Sequence, residues 1–194
     1  SILIELSVHV FSHALAGTLL GDETAKRMGR LTLNPIAHVD MLGLLALVTA
    51  GFGWGRPVPF NSYNLRNQRW GPVLIAFAGP TSNLLFAFIF GLALRFLLPS
   101  LGQENLLIQF LFLSVTLNLG LLLFNLLPIP PLDGSKLLLA VLHGSQGEKA
   151  RVALETYGPW LLIALIIAGT VFGLNVFGGL EVVIAAFLET IVGL

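Results

Sequence analysis

The chain has 194 residues, 56% of them hydrophobic and 10% charged, with a mean hydropathy of +0.90 and ten basic residues against ten acidic ones. Soluble domains carry roughly 25% charged residues, so the composition excludes an ordinary soluble protein and predicts one compact membrane-embedded domain over 1–194. Zero net charge gives no footing for nucleic acid, and the absence of cysteine excludes disulfides and thiolate metal ligands.

The first stretch, 2–20, is apolar except for Glu5, His9 and His13, spaced by four. That spacing predicts a helix entering the membrane with one polar stripe turned inward, ended by Gly21-Asp22. The stretch lacks the basic start of a secretory signal. The chain opens on Ser1 rather than Met, which is consistent with processing or trimming upstream. Residues 22–40 are polar and turn at Asn34-Pro35. The uncharged run 41–55 is too short to cross a ~30 Å hydrocarbon core, so 41–50 is expected to be re-entrant or interfacial. Residues 51–60 alternate small and large side chains, and Phe52, Trp54, Val58 and Phe60 predict an extended strand at the membrane surface. Arg66, Arg69 and Trp70 read as interfacial anchors.

No charge occurs over 71–94, enough for one spanning helix. It contains Gly79-Pro80-Thr81-Ser82-Asn83, a small and polar patch suited to close helix packing and support. A short loop is expected over 95–104. The uncharged run 105–132 allows a second span to about residue 127, broken by Pro128, Pro130 and Pro131. Asp133-Gly134, a short helix over 135–143, a polar stretch over 144–155, a span over 157–175 and a last apolar segment with Glu181 and Glu189 complete the chain. The expected fold is mainly α: a polytopic helix bundle of about four to six membrane segments with a small membrane-associated β element near 51–60.

Basic residues set the topology. Loop 21–71 holds six and loop 128–156 holds three, against Arg95 alone between the two intervening spans. Both loops are therefore expected in the cytoplasm. No internal repeat supports an inverted-repeat transporter.

The chemistry centres on Val8-His9-Val10-Phe11-Ser12-His13-Ala14. On a helix, His9 and His13 share one face, one turn apart, and form half of a zinc site. The bland alternative is two polar residues facing a neighbouring helix. Catalytic zinc takes three protein ligands. Asp133, after the proline-rich stretch, is the best candidate for the third, with His38 and Glu5 as rivals; its bland role is to cap the helix that follows. The zinc-protease motif carries a Glu after the first His, and here that position is Val10.

With these residues the chain resembles the site-2 protease family of intramembrane zinc metalloproteases, in its small form without PDZ or CBS domains. The likeness runs in order through His9-Val-Phe-Ser-His13-Ala, Gly21-Asp22-Glu-Thr24-Ala25, Gly29-Arg30-Leu-Thr-Leu-Asn34-Pro35-Ile-Ala-His38-Val-Asp40, Phe52-Gly-Trp54-Gly-Arg-Pro57-Val, Ala78-Gly79-Pro80-Thr-Ser-Asn83, and Asn125 through Pro128, Pro130 and Pro131 to Asp133-Gly134. The resemblance implies one Zn2+ held by His9, His13 and Asp133, and peptide-bond hydrolysis in a transmembrane protein substrate within the lipid bilayer. Asn125 would donate to the substrate carbonyl or oxyanion. Gly53, Trp54, Gly55, Pro57 and Val58 would receive an unwound substrate by strand addition. The implied location is a prokaryotic plasma membrane.

The chain departs from the family at Val10. The family's Glu activates the attacking water and then protonates the leaving amine, and valine does neither, so impaired catalysis is expected. Glu5, one turn before His9, is a conceivable substitute. Two other functions stay open: a non-catalytic zinc-binding relative that captures membrane helices, and a metal transporter using the histidine stripe.

Overall fold

A computed structural model describes residues 2–41, 43, 45, 55–142, 144–176 and 178–193. Among the described residues the chain forms the α-helices α1 (Ile2–Leu19), α2 (Thr24–Arg27), α3 (Gly71–Leu101), α4 (Leu106–Asn125), α5 (Ser135–Val141), α6 (Gly144–Thr170) and α7 (Gly178–Phe187). A π-helical turn, Leu188–Val192, continues α7. Among the described residues, four helices are long and apolar enough to cross a membrane: α1, α3, α4 and residues Gln146–Thr170 of α6. The mainly helical, polytopic fold expected from the sequence is thus present.

The chain divides into two compact units, Ser1–Asn83 and Leu84–Leu194, and the division falls within α3. In the first unit α1 ends at Gly21, whose φ of 106° suits a residue without Cβ. The next residue, Asp22, is buried and fastens the loop ahead of α3. Its carboxylate accepts from Thr24 N (3.2 Å), Thr24 Oγ1 (2.6 Å), Asn61 N (2.7 Å) and Asn64 Nδ2 (2.9 Å). Arg66 N donates to Leu20 O at 3.1 Å beside it. The buried Leu65 then sits so close to Gly71 that a Cβ there would lie 2.8 Å from Leu65 Cδ1. The start of α3 is thereby tied to the end of α1.

Burial pushes the pKa of the Asp22 carboxyl up, but the hydrogen bonds from Thr24, Asn64 and Asn61 outweigh it, and the net result lies below the usual carboxylate range. A group whose folded value is depressed contributes stability that is present above the unfolded value and lost as pH falls through the folded one. Asp22→Ala is therefore expected to lower stability by about 2 kcal/mol at neutral pH and to remove part of the acid-induced loss below about pH 4. Thermal unfolding in detergent at pH 7 and pH 3 measures both effects.

In the same unit His38 and Arg30 hold a small extended element. Val39 and Gly55 form an isolated antiparallel bridge, and Arg56 N donates to His38 O at 2.8 Å. Arg30 donates to Ala37 O and, at 2.5 Å, to Arg56 O. The strand expected over 51–60 is this single bridge among the described residues, and residues 51–54 lie outside them, as does most of 41–50. Pro57 and Pro59 withhold the N–H groups a longer ladder needs.

In the second unit, Ala87, Val115, Leu119 and Leu122 form one buried apolar cluster, and Leu94, Ile108, Leu111 and Val192 form another. The loop expected over 95–104 is a correction, because α3 continues to Leu101 and ends at Gly102 with φ 74°. Arg95 stays inside the helix, donating to the Thr190 and Ile191 carbonyls at 3.4 and 3.2 Å. The polar stretch 144–155 is also helical, so the span expected over 157–175 belongs to a helix beginning at Gly144. An Arg151–Glu155 pair at 3.4 Å supports its outer face. The helix α7 and its π turn together rise about 22 Å at ~1.5 Å per residue, short of a ~30 Å core.

Candidate metal centre

The face of α1 that carries the histidines meets a face of α3 built on the same four-residue spacing. On α1 the positions are His9, His13 and Gly17; on α3 they are Ile75, Gly79 and Asn83. Rows of residues four apart on two helices interdigitate readily. The pairing is antiparallel: His13 meets Ile75, and His9 meets Asn83.

Both imidazoles are buried and held from behind. His13 Nδ1 lies 2.7 Å from the Ile75 carbonyl oxygen, and His9 Nδ1 lies 2.5 Å from Asn83 Oδ1. A carbonyl oxygen only accepts, so each Nδ1 carries the proton and donates it. Each Nε2 is then the lone-pair nitrogen, and the two Nε2 atoms face one another at 3.0 Å. The rings stand edge to face, 85° apart, with centroids at 4.6 Å. Two lone pairs aimed at each other repel unless a proton or a cation lies between them. Two nitrogens on one tetrahedral zinc, each ~2.0–2.1 Å from it, lie about 3.3 Å apart. The pair fits zinc by that measure, and the carbonyl oxygens behind it fix the tautomer as partners of metal-bound histidines do.

Glycine makes this approach possible. A Cβ at Gly79 would lie 2.5 Å from His13 Nε2 and 2.6 Å from His9 Cε1. Asn83 is fully buried, at 0% exposure. From sequence, Gly79 and Asn83 stood for helix packing and support; the structure adds that they touch the two imidazoles directly. Their signal was a Gly and an Asn four apart in an uncharged span, opposite a helix bearing a His pair at the same spacing.

Val10 is buried, at 6% exposure, and presents only methyl groups where the zinc-protease motif has its Glu. Glu5 is buried on the stripe of His9 and His13. His38 is committed elsewhere, its Nε2 donating to Thr32 O at 2.7 Å. Burial lowers its basicity, the Thr32 bond raises it and the Arg30 charge lowers it further, with a net downward shift. Gly55 lies against α1: a Cβ there would be 3.1 Å from Leu6 Cδ2, three residues before His9. Arg56 and Pro57 are exposed and Val58 is half-buried, whereas Gly53 and Trp54 fall outside the described residues.

The second unit contains Asn125 and Asp133, and one tight turn joins them. Gly134 N donates to Asn125 O at 2.7 Å, closing the segment between the last residue of α4 and the start of α5. A Cβ at Gly134 would collide with the Leu126 carbonyl. The Pro130–Pro131 peptide within the turn is cis. Asn125 Nδ2 donates to Leu121 O at 2.9 Å. Asp133 is half-buried with Oδ2 shielded from solvent, and Gly134 rather than Asp133 occupies the N-cap of α5.

A polytopic helical membrane protein with a buried, tautomer-fixed histidine pair belongs among membrane metalloproteins. Comparison with known proteins narrows the class. The model of Peptidase family M50 matches residues 100–169. YwhC of Bacillus subtilis (strain 168), which bears a provisional zinc metalloprotease name, is 40% identical over 86% of this chain and 78% of its own. Two mycobacterial proteins with the provisional zinc metalloprotease name Rip2 are similar as well. That of Mycolicibacterium smegmatis is 32% identical over 85% of this chain and 64% of its own length. That of Mycobacterium tuberculosis (strain H37Rv) is 33% identical over 88% and 66%. No solved structure matches. The chain belongs to peptidase family M50, the site-2 protease family; it is an integral membrane protein on a zinc metalloprotease scaffold.

Proposed function

We propose that this chain binds one zinc ion through His9, His13 and Asp133 and hydrolyses a peptide bond in a membrane-spanning substrate, at a rate limited by Val10. The observation that carries the reading is the histidine pair: both Nδ1 atoms donate to fixed oxygens, and both Nε2 atoms face one point, 3.0 Å apart. Asp133 supplies the carboxylate of the ligand set, from a turn held rigid by its prolines and by the Gly134–Asn125 bond. Bound zinc supplies Lewis acidity, which polarises a carbonyl and acidifies water.

The protein groups carry the rest. Asn125, in the same turn as Asp133, turns its amide from Leu121 O to the oxygen that gains charge as the carbonyl is attacked. A helical substrate hides its amides in internal hydrogen bonds and must be extended locally before water reaches a carbonyl. The Gly55, Pro57 and Val58 edge, with Gly53 and Trp54 ahead of it, receives that extended segment by backbone pairing. Gly55 already lies on α1 beside Leu6, less than a helical turn from His9. Loops 21–71 and 128–156 carry the basic residues and face the cytoplasm of a bacterial cell.

The second reading is a pseudoprotease that holds zinc and membrane helices without cutting. The buried valine at position 10 favours it. The ligand assignment is tested by zinc content. Asp133→Ala is expected to lose zinc from the purified chain while remaining helical by circular dichroism. Zinc retained in that variant would move the third ligand to His38 or Glu5.

A further inference from the structure

The short bridge beside α1 stops after one pair, and Arg30 stands at the point where it stops. We propose that Arg30 is a positioning residue for the substrate: its guanidinium ends the pairing of 38–39 with 55–56 and holds the outer edge of Gly55 and Pro57 in place for the substrate backbone. The proposal rests on the docking edge of the reading above, and the experiment below separates failure of one from failure of the other.

In an antiparallel pair, opposed residues alternate between those that exchange both N–H···O bonds and those whose N–H and C=O turn outward. Val39 and Gly55 form the bridge, and Arg56 N donates to His38 O at 2.8 Å. Arg56 opposite His38 is therefore the exchanging pair, whose second bond would run from His38 N to Arg56 O. That bond does not form. His38 N donates instead to Pro35 O at 2.9 Å, closing the helical turn Pro35–Ala37. Arg30 takes its place: Nη2 donates to Arg56 O at 2.5 Å, and Nη1 donates to Ala37 O, the carbonyl just before His38. The side chain is 5% exposed, and the charge acting on it is the like charge of Arg56. Among the described residues, the partners of the guanidinium are these two backbone oxygens.

The consequence falls on the far side of the strand. Gly55, one residue before Arg56, turns its N–H and C=O away from 38–39, and Pro57, one residue after, turns its C=O the same way. Arg56 and Val58 each precede a proline, which holds them extended. A Cβ on Gly55 would meet Leu6 Cδ2 at 3.1 Å. Cβ atoms leave a strand through its face, so α1 backs the face of this strand and not its edge. The outer edge offers two acceptors, Gly55 O and Pro57 O, and one donor, Gly55 N, because Pro57 has no N–H. Such an edge is met by two substrate amides two residues apart, whichever way the substrate runs. Without Arg30, the bond from Arg56 N to His38 O is the one backbone bond among the described residues that keeps the two segments in register. The edge then loses the fixed spacing that pairing needs.

Val10 slows the cut, so capture can be read as binding. The test measures binding of a fluorescent single-span peptide to the zinc-loaded parent chain, Arg30→Lys and Arg30→Ala in detergent, with zinc content and helicity taken on each. A companion set of the same peptide is N-methylated at one backbone nitrogen at a time. Arg30→Ala is expected to bind the peptide about tenfold or more weakly at unchanged zinc content. Arg30→Lys, with a point donor in place of a fork, is expected to fall between. Millimolar methylguanidinium should restore binding to Arg30→Ala. On the parent, N-methylation should cost affinity at two positions two residues apart and not at the position between them. Equal binding by the parent and Arg30→Ala, with that alternation intact, would overturn the role of Arg30 and leave the docking edge standing. Loss of zinc or helicity in parallel with binding in both Arg30 variants would make Arg30 a general structural residue and overturn it as well. N-methylation without effect at every position would remove the docking edge and this inference together.

Discussion

Val10→Glu is expected to raise cleavage of a single-span membrane substrate by about 10²–10⁴-fold, the usual worth of a positioned general base. The residue follows His9 directly on α1 and is 6% exposed, so a carboxylate placed there stands within the protein beside the metal ligands rather than in solvent. The zinc-protease motif uses that position for proton transfer and not for ligation, so zinc content should equal that of the parent. The substitution also buries a charge where valine now packs. A lower melting temperature of the metal-free form, recovered on adding zinc, is part of the expected result. Product masses from the purified chain in detergent measure the rate and locate the cut. An unchanged rate with zinc bound would favour capture of membrane helices over their hydrolysis.

Gly79→Val is expected to abolish tight zinc binding while leaving the chain helical. A Cβ at Gly79 already falls 2.5 Å from His13 Nε2, and valine adds two methyl groups on a stiff side chain. Either the rings rotate out of their facing geometry or α1 separates from α3, and both outcomes part the two Nε2 atoms. The loss should be about 100-fold or more in zinc affinity, at or beyond the top of the range for disturbing groups behind a metal ligand. Asn83→Leu is the milder companion. It removes the oxygen that accepts from His9 Nδ1 without adding a clash, and should weaken zinc by about 10–100-fold. Competition with a chelator measures both. Gly79→Val binding zinc as the parent does would mean that the imidazoles work in another arrangement.

Much of the fold is legible because charge is so scarce. The uncharged runs 71–94 and 105–132 mark two of the spanning helices, and the four-residue spacing of Glu5, His9 and His13 marks the inward face of α1. The run of charge-free residues is a poor guide to where a helix stops. Arg95 interrupts the pattern, yet its guanidinium finds the Thr190 and Ile191 carbonyls and the helix runs on to Gly102. Residues 144–155 read as polar loop, but charge pairs such as Arg151–Glu155 suit a helix just as well. The histidine pair was readable from spacing alone. The oxygens behind it were not, because a backbone carbonyl at Ile75 has no sequence signature and an Asn in an apolar span has several uses. Only the antiparallel register of α1 against α3 assigns Asn83 to His9 and Gly79 to the gap between the rings.

The measurement that bears most directly on the account is the metal content of the chain extracted from bacterial membranes without added metal. The histidine geometry predicts one zinc per chain, and none in a His9→Ala/His13→Ala variant that is still helical. A parent chain that carries no zinc, and takes up none from a buffered micromolar supply, would contradict the metal site and every step argued from it.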